Sequence, residues 1–283
     1  MPTLSALTLY PIKSCAGIAL PQAEVTAYGL AYGGVRDREW MVVDPEGNLR
    51  TQREYPAMAL IVPKIGHDSV ELSAPNLPVL RLPINTASLA HAATMDVRVW
   101  DDVVHAWDCG SEAAEWFSRA TGAACCLARF HAGGRRLASS KWTGGREVPT
   151  LFSDGFPMLV VSAASLADLN QRLTAQGRAA LPMNRFRPNI VIDGIEAFEE
   201  DYAAAIRIGA ACLQPVKPCA RCPMPSVDQA TGRFGPDPLD ILQTYRANAL
   251  VDGDITFGMN AILTEGEHAV LRVGQDAEVE LAF

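Results

Sequence analysis

The chain of 283 residues is long enough for two domains, and its 49% hydrophobic and 20% charged residues predict a sizeable buried core, which excludes disorder. Its formal net charge of −8 argues against a general binder of nucleic acid or anionic membranes, because both partners need a broad basic surface. No apolar run approaches the length of about 18 residues that crosses a bilayer.

The N-terminal segment predicts where the protein works. The residues before Lys13 contain no cation and lack the cleavage pattern of an export signal, so we expect a cytoplasmic protein. In that compartment its seven cysteines are expected to be thiols or ligands rather than disulfides. We expect a small-molecule partner, and neither nucleic acid nor membrane.

The first hundred residues predict β structure, because short apolar or alternating runs are separated by Gly, Pro, Asn and Asp at hairpin spacing. The runs cover 4–14, 18–30, 38–53, 60–74 and 77–84, and 96–110 adds two more strands. Ser111 is predicted to cap a helix that Gly122 ends. This half is typical of a β-barrel or curled sheet closed by one helix.

The second half alternates strands with two helices. A polar, irregular stretch at 135–155 is too long for an idle connection, so we expect it to be functional or mobile. Ser162 is predicted to cap the clearest helix, which Gly177 ends. Further strands are expected at 189–194 and 204–216, a short helix at 237–247, and a hairpin followed by a strand within 261–283.

Several common catalytic motifs are absent from the sequence. There is no phosphate-binding G-x-x-x-x-G-K-[ST], no dinucleotide-binding G-x-G-x-x-G and no G-x-S-x-G of the hydrolases. The five histidines have no metal-ligand spacing; they are His67, His91, His105, His131 and His268.

The least ordinary segment is 215–235, in which Cys219 and Cys222 form a C-x-x-C around Arg221. A zinc site or an iron–sulfur cluster would need further ligands, and a thioredoxin-type pair would open a helix where Pro223 interrupts the chain. Two readings remain beside these: a thiolate that ligates a soft metal or cofactor, and a pair of inert structural cysteines.

Cations at predicted strand ends favour the first of these two readings. Lys13 and Ser14 follow a strand, Arg36 and Arg38 precede one, and Arg185 and Arg187 precede another; all of them lie in an acidic protein. Lysine and arginine in such places are typical of a local anion pocket.

Six segments in chain order stand out together: YPIKSC (10–15), RDREWMVVDPEGN (36–48), FPMLVVSAASLADLNQRL (156–173), NRFRPNIVIDG (184–194), KPCARCPMPSVDQATG (217–232) and FGMN (257–260). Together they resemble the MOSC superfamily, in the pattern of the mitochondrial amidoxime-reducing component and the bacterial YcbX-type proteins. The resemblance implies a mainly β, α+β fold: a MOSC N-terminal β-barrel domain over 1–122, then a MOSC β-barrel domain with flanking helices over 123–283.

The resemblance also implies a molybdenum cofactor, in which a pyranopterin and its phosphate hold the metal. Cys222 matches the molybdenum ligand, and Asp228 is a candidate for orienting the site or relaying a proton, or for capping a turn. The residues that match cofactor-binding positions are Lys13, Ser14, Arg38, Arg187, Asn189 and Arg221. Gly155 and Phe156 replace hydroxyl side chains of the family, and Asn260 replaces an aromatic one.

The implied function is that of an oxidoreductase that reduces N-hydroxylated compounds. The sequence lacks the ferredoxin-like extension of YcbX-type proteins, so electrons are expected from a separate protein of the ferredoxin or cytochrome/flavin reductase type. The alternative is a cofactor carrier or sulfur-transfer module related to the C-terminal part of molybdenum cofactor sulfurase.

Overall fold

The computed structural model describes residues 1–89 and 92–282, so His91 lies outside the described residues. The strands are β1 Thr3–Leu9, β2 Ile18–Leu20, β3 Gln22–Thr26, β4 Gly29–Tyr32, β5 Val35–Arg36, β6 Trp40–Val43, β7 Val62–Ile65, β8 Ser69–Ser73, β9 Leu80–Pro83, β10 Thr94–Val99, β11 Asp102–Asp108, β12 Cys126–Phe130, β13 Met158–Ser162, β14 Ile190–Asp193, β15 Ala203–Ile208, β16 Ala211–Ala220, β17 Val227–Asp228, β18 Arg233–Phe234, β19 Thr256–Glu265, β20 Val270–Arg272 and β21 Ala277–Leu281. The helices are α1 Ser111–Thr121, α2 Ser140–Thr143, α3 Ala163–Ala175 and α4 Leu239–Leu242. The 3-10 turns are Pro56–Leu60, Thr86–Leu89, Met183–Arg185, Glu199–Tyr202, Met224–Ser226 and Ala249–Val251.

The strands form one large sheet and several small ones, which confirms the predicted mainly β fold with flanking helices. The large sheet has the order β2-β1-β14-β13-β19-β16-β15-β21. The smaller sheets are β10-β11-β12-β6, β20-β3-β4-β5, β7-β8-β9 and β17-β18. The two halves of the chain exchange strands, because β1 and β2 join the large sheet and β20 pairs with β3.

Helix α3 connects the parallel pair β13 and β14 of the large sheet. Its predicted cap is confirmed, since the Ser162 hydroxyl accepts a hydrogen bond from Ala164 N at 3.1 Å. Leu169 and Leu173, one turn apart, are buried against the sheet. This crossover fixes where β14 begins, and therefore where the segment just before it lies.

Two sequence predictions are wrong in detail. Ser111 is the first residue of α1 and not its cap; Gly110 takes the cap position with φ of 88°, a conformation that favours glycine. The expected hairpin within 261–283 does not form. Strand β19 already has β13 and β16 on its two edges, so β20 finds no edge there and pairs with β3.

Candidate functional site

A cavity of about 240 Å³ lies where several strand ends meet. In the antiparallel pair of β1 and β14, Leu7 faces Ile190, so the residues after β1 approach those before β14. Because β13 runs parallel to β14, the segment that precedes β13 lies at the same edge. The strand register therefore gathers three loops that are far apart in sequence.

The cavity brings together all seven residues predicted for cofactor and metal binding. It is lined by Lys13, Ser14, Arg38, Arg187, Asn189, Arg221 and Cys222. Gly155, Phe156 and Asn260, where the sequence departs from the family pattern, also line it. Asp228 is not among the lining residues.

The lining is strongly basic although the chain is acidic. Six cationic side chains face a single carboxylate, that of Asp154; the cations are Lys13, Arg38, Arg53, Arg187, Lys217 and Arg221. Such an excess of positive charge in a concave, partly buried site attracts anions much more strongly than the same charges would in water.

Four lining residues hold a left-handed backbone: Ser14 (φ 65°), Arg38 (φ 50°), Trp100 (φ 56°) and Arg187 (φ 56°). Side chains other than glycine, and the bulky ones above all, adopt this conformation at a cost in energy. Strained backbone of this kind concentrates at ligand-binding sites, where the surrounding structure enforces it. Three of the four, Ser14, Arg38 and Arg187, are residues that are predicted from the sequence to bind a cofactor.

Lys13 is buried and held at one wall of the cavity. Its ammonium donates to Phe152 O at 2.8 Å and to Asp154 Oδ1 at 2.5 Å. Burial lowers the pKa of Lys13, although Asp154 opposes this effect. For Asp154, desolvation by the surrounding protein would raise the pKa. The charge and hydrogen bond of Lys13 have the larger effect, so the pKa of Asp154 is well below its usual value.

A buried network orients Arg38. Its Nη1 donates to Asn189 Oδ1 at 2.9 Å and to Asp37, and its guanidinium lies 4.4 Å from the centre of the Tyr10 ring. The Asn189 amide donates in turn to Asp37 at 2.9 Å and to Thr8 O at 3.2 Å. Both amide protons of Asn189 are thus used within the protein, so this residue positions Arg38.

Arg187 differs from Arg38 in lacking partners. Its guanidinium is stacked 4.3 Å from the Tyr10 ring, its side chain is buried, and within the described chain it donates no hydrogen bond. Burial lowers its pKa, and neighbouring Arg38 adds to this effect. An arginine buried at a cavity wall with free donors is suited to a bound anion.

Cys219 lies near the end of β16, and Arg221 and Cys222 follow that strand. Cys222 is partly exposed and lines the cavity. Arg221 directs its two terminal nitrogens inward, with Nη1 3.1 Å from Cys219 Sγ and Nη2 donating to Phe186 O at 2.9 Å. Arg221 therefore braces Cys219 against the core, which leaves Cys222 as the thiol of the pair without such a contact in the described chain.

Asp228 caps a turn and holds an arginine. Its Oδ1 accepts hydrogen bonds from Ala230 N and Thr231 N, both at 2.9 Å, and its Oδ2 pairs with buried Arg185 at 2.8 Å. Arg185 also donates to Pro225 O at 3.1 Å. The pair thus fixes the chain that follows Cys222.

Sequence reasoning missed Ser153, Asp154, Arg53, Trp100 and Lys217, all of which line the cavity. Trp100 stands at the tip of the β10–β11 hairpin, with Arg53 4.7 Å from its ring centre and its indole donating to Asp154 Oδ1 at 3.3 Å. The available signal was the position of Ser153 and Asp154 in the long irregular stretch at 135–155.

The cysteines of the native protein are expected to differ in their rates of alkylation. Burial raises the pKa of both Cys15 and Cys109 to about 12, so at pH 8 only about one thiol in ten thousand is a thiolate at each. We expect iodoacetamide at pH 8 to label Cys222 well before these two, as read by peptide mass spectrometry. Equal labelling rates at Cys15 and Cys222 would contradict this arrangement, and full labelling in urea is the control.

No cluster of three or more His, Cys, Asp and Glu suited to a metal occurs within 1–89 and 92–282. In the same part of the chain, no helix has the length and apolar character to span a membrane.

Fold and site define a mainly β protein built from two strand-exchanged parts around a basic cavity that presents a thiol. Residues 1–124 match the MOSC N-terminal beta barrel domain, and 147–278 match the MOSC domain. The chain belongs to the MOSC family.

Among its relatives is the mitochondrial amidoxime reducing component 2 of Bos taurus, which is 37% identical over 86% of this chain and 72% of its own length. The mitochondrial amidoxime-reducing component 1 of Mus musculus is 38% identical over 86% and 71%, respectively. The human component 1 is 37% identical over 86% and 72%.

Proposed function

We propose that this protein is a molybdenum-cofactor-dependent oxidoreductase that reduces N-hydroxylated compounds with electrons from a separate donor protein. The observation that carries the proposal is the convergence of Cys222 and six cationic side chains on one cavity. The names of the relatives, which are amidoxime-reducing components, supply the substrate class. The cytoplasmic location and the domain boundary at 122 stay predictions.

Polar atoms without partners support the fit of an anionic, polar cofactor. Ser153 Oγ and Arg221 Nε are buried in the cavity lining, and neither has a hydrogen-bond partner in the described chain. Arg187 is buried as a residue and donates no side-chain hydrogen bond within the described chain. Since buried polar groups are nearly always paired, these groups suit a ligand that brings acceptors, such as a phosphate and a pterin.

Different residues of the cavity would bind the cofactor, ligate the metal and position the loop that holds the ligand. Lys13, Ser14 and Arg187 bind the phosphate or pterin; Arg38 does so from the network of Asp37 and Asn189. Cys222 supplies the thiolate ligand, for which thiolates and soft metals are well matched. Arg221 and the Arg185–Asp228 pair position the loop that carries Cys222, which makes Asp228 a positioning residue.

When bound, the cofactor would supply two-electron redox chemistry at the metal. In the overall reaction the N–O bond of the substrate breaks, two electrons and two protons are consumed, and the oxygen leaves as water. The electrons come from the donor protein.

The proposal is tested by turnover of protein made in a host that synthesises the cofactor. With a chemically reduced viologen dye as donor, we expect conversion of benzamidoxime to benzamidine, followed by chromatography. Protein that holds molybdenum and reduces neither benzamidoxime nor an N-hydroxylated base would contradict the reductase and favour the carrier or sulfur-transfer alternative.

Replacing Arg187 by methionine is expected to weaken cofactor retention about tenfold to a hundredfold, because charge-assisted hydrogen bonds to an anion are lost. The measurement is pterin per chain, by fluorescence after oxidation, during prolonged dialysis. Arg207→Met is the matched control, since Arg207 lies in an exposed ion pair with Glu265. Equal pterin loss from both variants would show that Arg187 does not bind the cofactor.

A further inference from the structure

We propose that Lys217 and Asn260 form a subsite that binds a negatively charged group of the substrate, so that the favoured substrates are anionic N-hydroxylated compounds. This inference rests on the proposed reductase function and adds the charge of the substrate to it. The starting observation is that the cavity holds more positive charge than the groups around it neutralise.

Lys217 lies on β16, two residues before Cys219. Lys217 and Cys219 both line the cavity. Across the sheet, Lys217 pairs with Asn260 of β19. The Asn260 amide donates to Lys217 O at 3.2 Å, which ties the two residues together at the cavity floor.

The ammonium of Lys217 has no anionic partner. Within 1–89 and 92–282 it forms no ion pair and no hydrogen bond, and it lies over the ring of Trp142, with the ring centre 5.6 Å away. Lys217 is only partly exposed. An anion that binds beside Lys217 would form a partly buried pair, which salt screens less than a surface pair.

Most of the other cations of the lining are already engaged. Lys13 is paired with Asp154, Arg38 with Asp37, and the terminal nitrogens of Arg221 contact Cys219 and Phe186 O. Arg187 is stacked on Tyr10 beside Arg38, and we assign it to the cofactor.

The charge balance leaves room for an anionic substrate. A phosphate monoester carries about −1.5 to −2 at pH 7. The lining has six cations and one carboxylate, so one phosphate offsets only part of the excess. Lys217 takes part in neither the Lys13–Asp154 nor the Arg38–Asp37 pair, and it lies two residues before Cys219 in the same cavity lining. We therefore assign Lys217 to the substrate rather than to the phosphate.

The test compares two substrates that differ only in charge, benzamidoxime and its para-carboxylate derivative. Dissociation constants are measured by calorimetry on the holoprotein without reductant, and kcat/KM with reduced dye. We expect wild type to favour the carboxylate about tenfold in both measurements. Lys217→Met, which keeps the length of the side chain, should lose this preference, because binding of the carboxylate weakens about tenfold more than binding of benzamidoxime. Lys217→Arg should restore most of it.

Lys141→Met is the matched control, because Lys141 also lies over the Trp142 ring, at 5.2 Å, but outside the cavity lining. It should keep the full carboxylate preference. The subsite is wrong if wild type binds both compounds equally, or if Lys217→Met weakens both by the same factor. If neither compound is turned over, the reductase proposal fails. The ratio of the two dissociation constants from calorimetry then still shows whether the anionic subsite exists.

Discussion

Cys222→Ala is expected to yield protein that contains less than about a tenth of the wild-type molybdenum and shows no measurable reduction of benzamidoxime. Loss of groups that merely support a metal ligand costs about tenfold to a hundredfold in affinity, and the loss of a ligand itself costs at least as much. The side chain is partly exposed at the cavity, so alanine leaves no large void in the core. We therefore expect the variant to fold normally.

Metal content by mass spectrometry reports on the thiolate ligand, and pterin content by fluorescence reports on the cations that bind the rest of the cofactor. Cys222→Ala should lose molybdenum more completely than pterin, because the cations that we assign to the phosphate remain. Cys219→Ala is the matched control; its sulfur receives Arg221 Nη1 at 3.1 Å, and it should keep the metal. Loss of molybdenum from Cys219→Ala with retention in Cys222→Ala would reverse the ligand assignment.

The part of the site that could be read from the sequence lies at strand ends. Arg187 and Asn189 stand directly before a recognisable strand, and Lys13 and Ser14 follow another. Their convergence depends on the antiparallel register of β1 and β14, with Leu7 opposite Ile190. No local pattern specifies that pairing, because 183 residues separate the two positions.

Other features could not be found by reading local patterns. Trp100 occupies a hairpin tip, where an exposed aromatic residue is ordinary until Arg53 and Asp154 are seen beside it. The left-handed backbone at Ser14 and Arg38 gives no signal, since neither residue type favours it. The pairing of β20 with β3 was missed because a hairpin is the local default and the alternative depends on which sheet edges are already filled.

The ion pair of Glu39 and Arg129 connects the segment that carries Arg38 to two other sheets. Both side chains are almost completely buried, and two Arg129 nitrogens lie 2.8 and 2.6 Å from Glu39 Oε1. Arg129 also donates to Pro83 O and Ile84 O, at the end of β9. Glu39 Oε2 accepts from Arg36 N at 3.0 Å. The Glu39–Arg129 pair thus ties together β12, the end of β9 and the chain from Arg36 onward.

Glu39→Gln is expected to lower the free energy of unfolding by about 3–5 kcal/mol, because the substitution leaves the Arg129 guanidinium buried without its counter-charge. The glutamine keeps the shape of the side chain, so the loss reports charge rather than packing. Urea unfolding of the cofactor-free protein, followed by fluorescence and circular dichroism, measures the change.

Glu71→Gln is the matched control for that measurement. Glu71 pairs with Arg81 across β8 and β9 at 3.0 Å, but both side chains reach solvent, and a pair of this kind contributes at most about 1 kcal/mol. A loss in Glu39→Gln no larger than in Glu71→Gln would mean that Arg129 finds other compensation. In that case Arg38 would depend on Asp37 and Asn189 alone for its position, and Asp37→Asn should then displace it from the cavity wall.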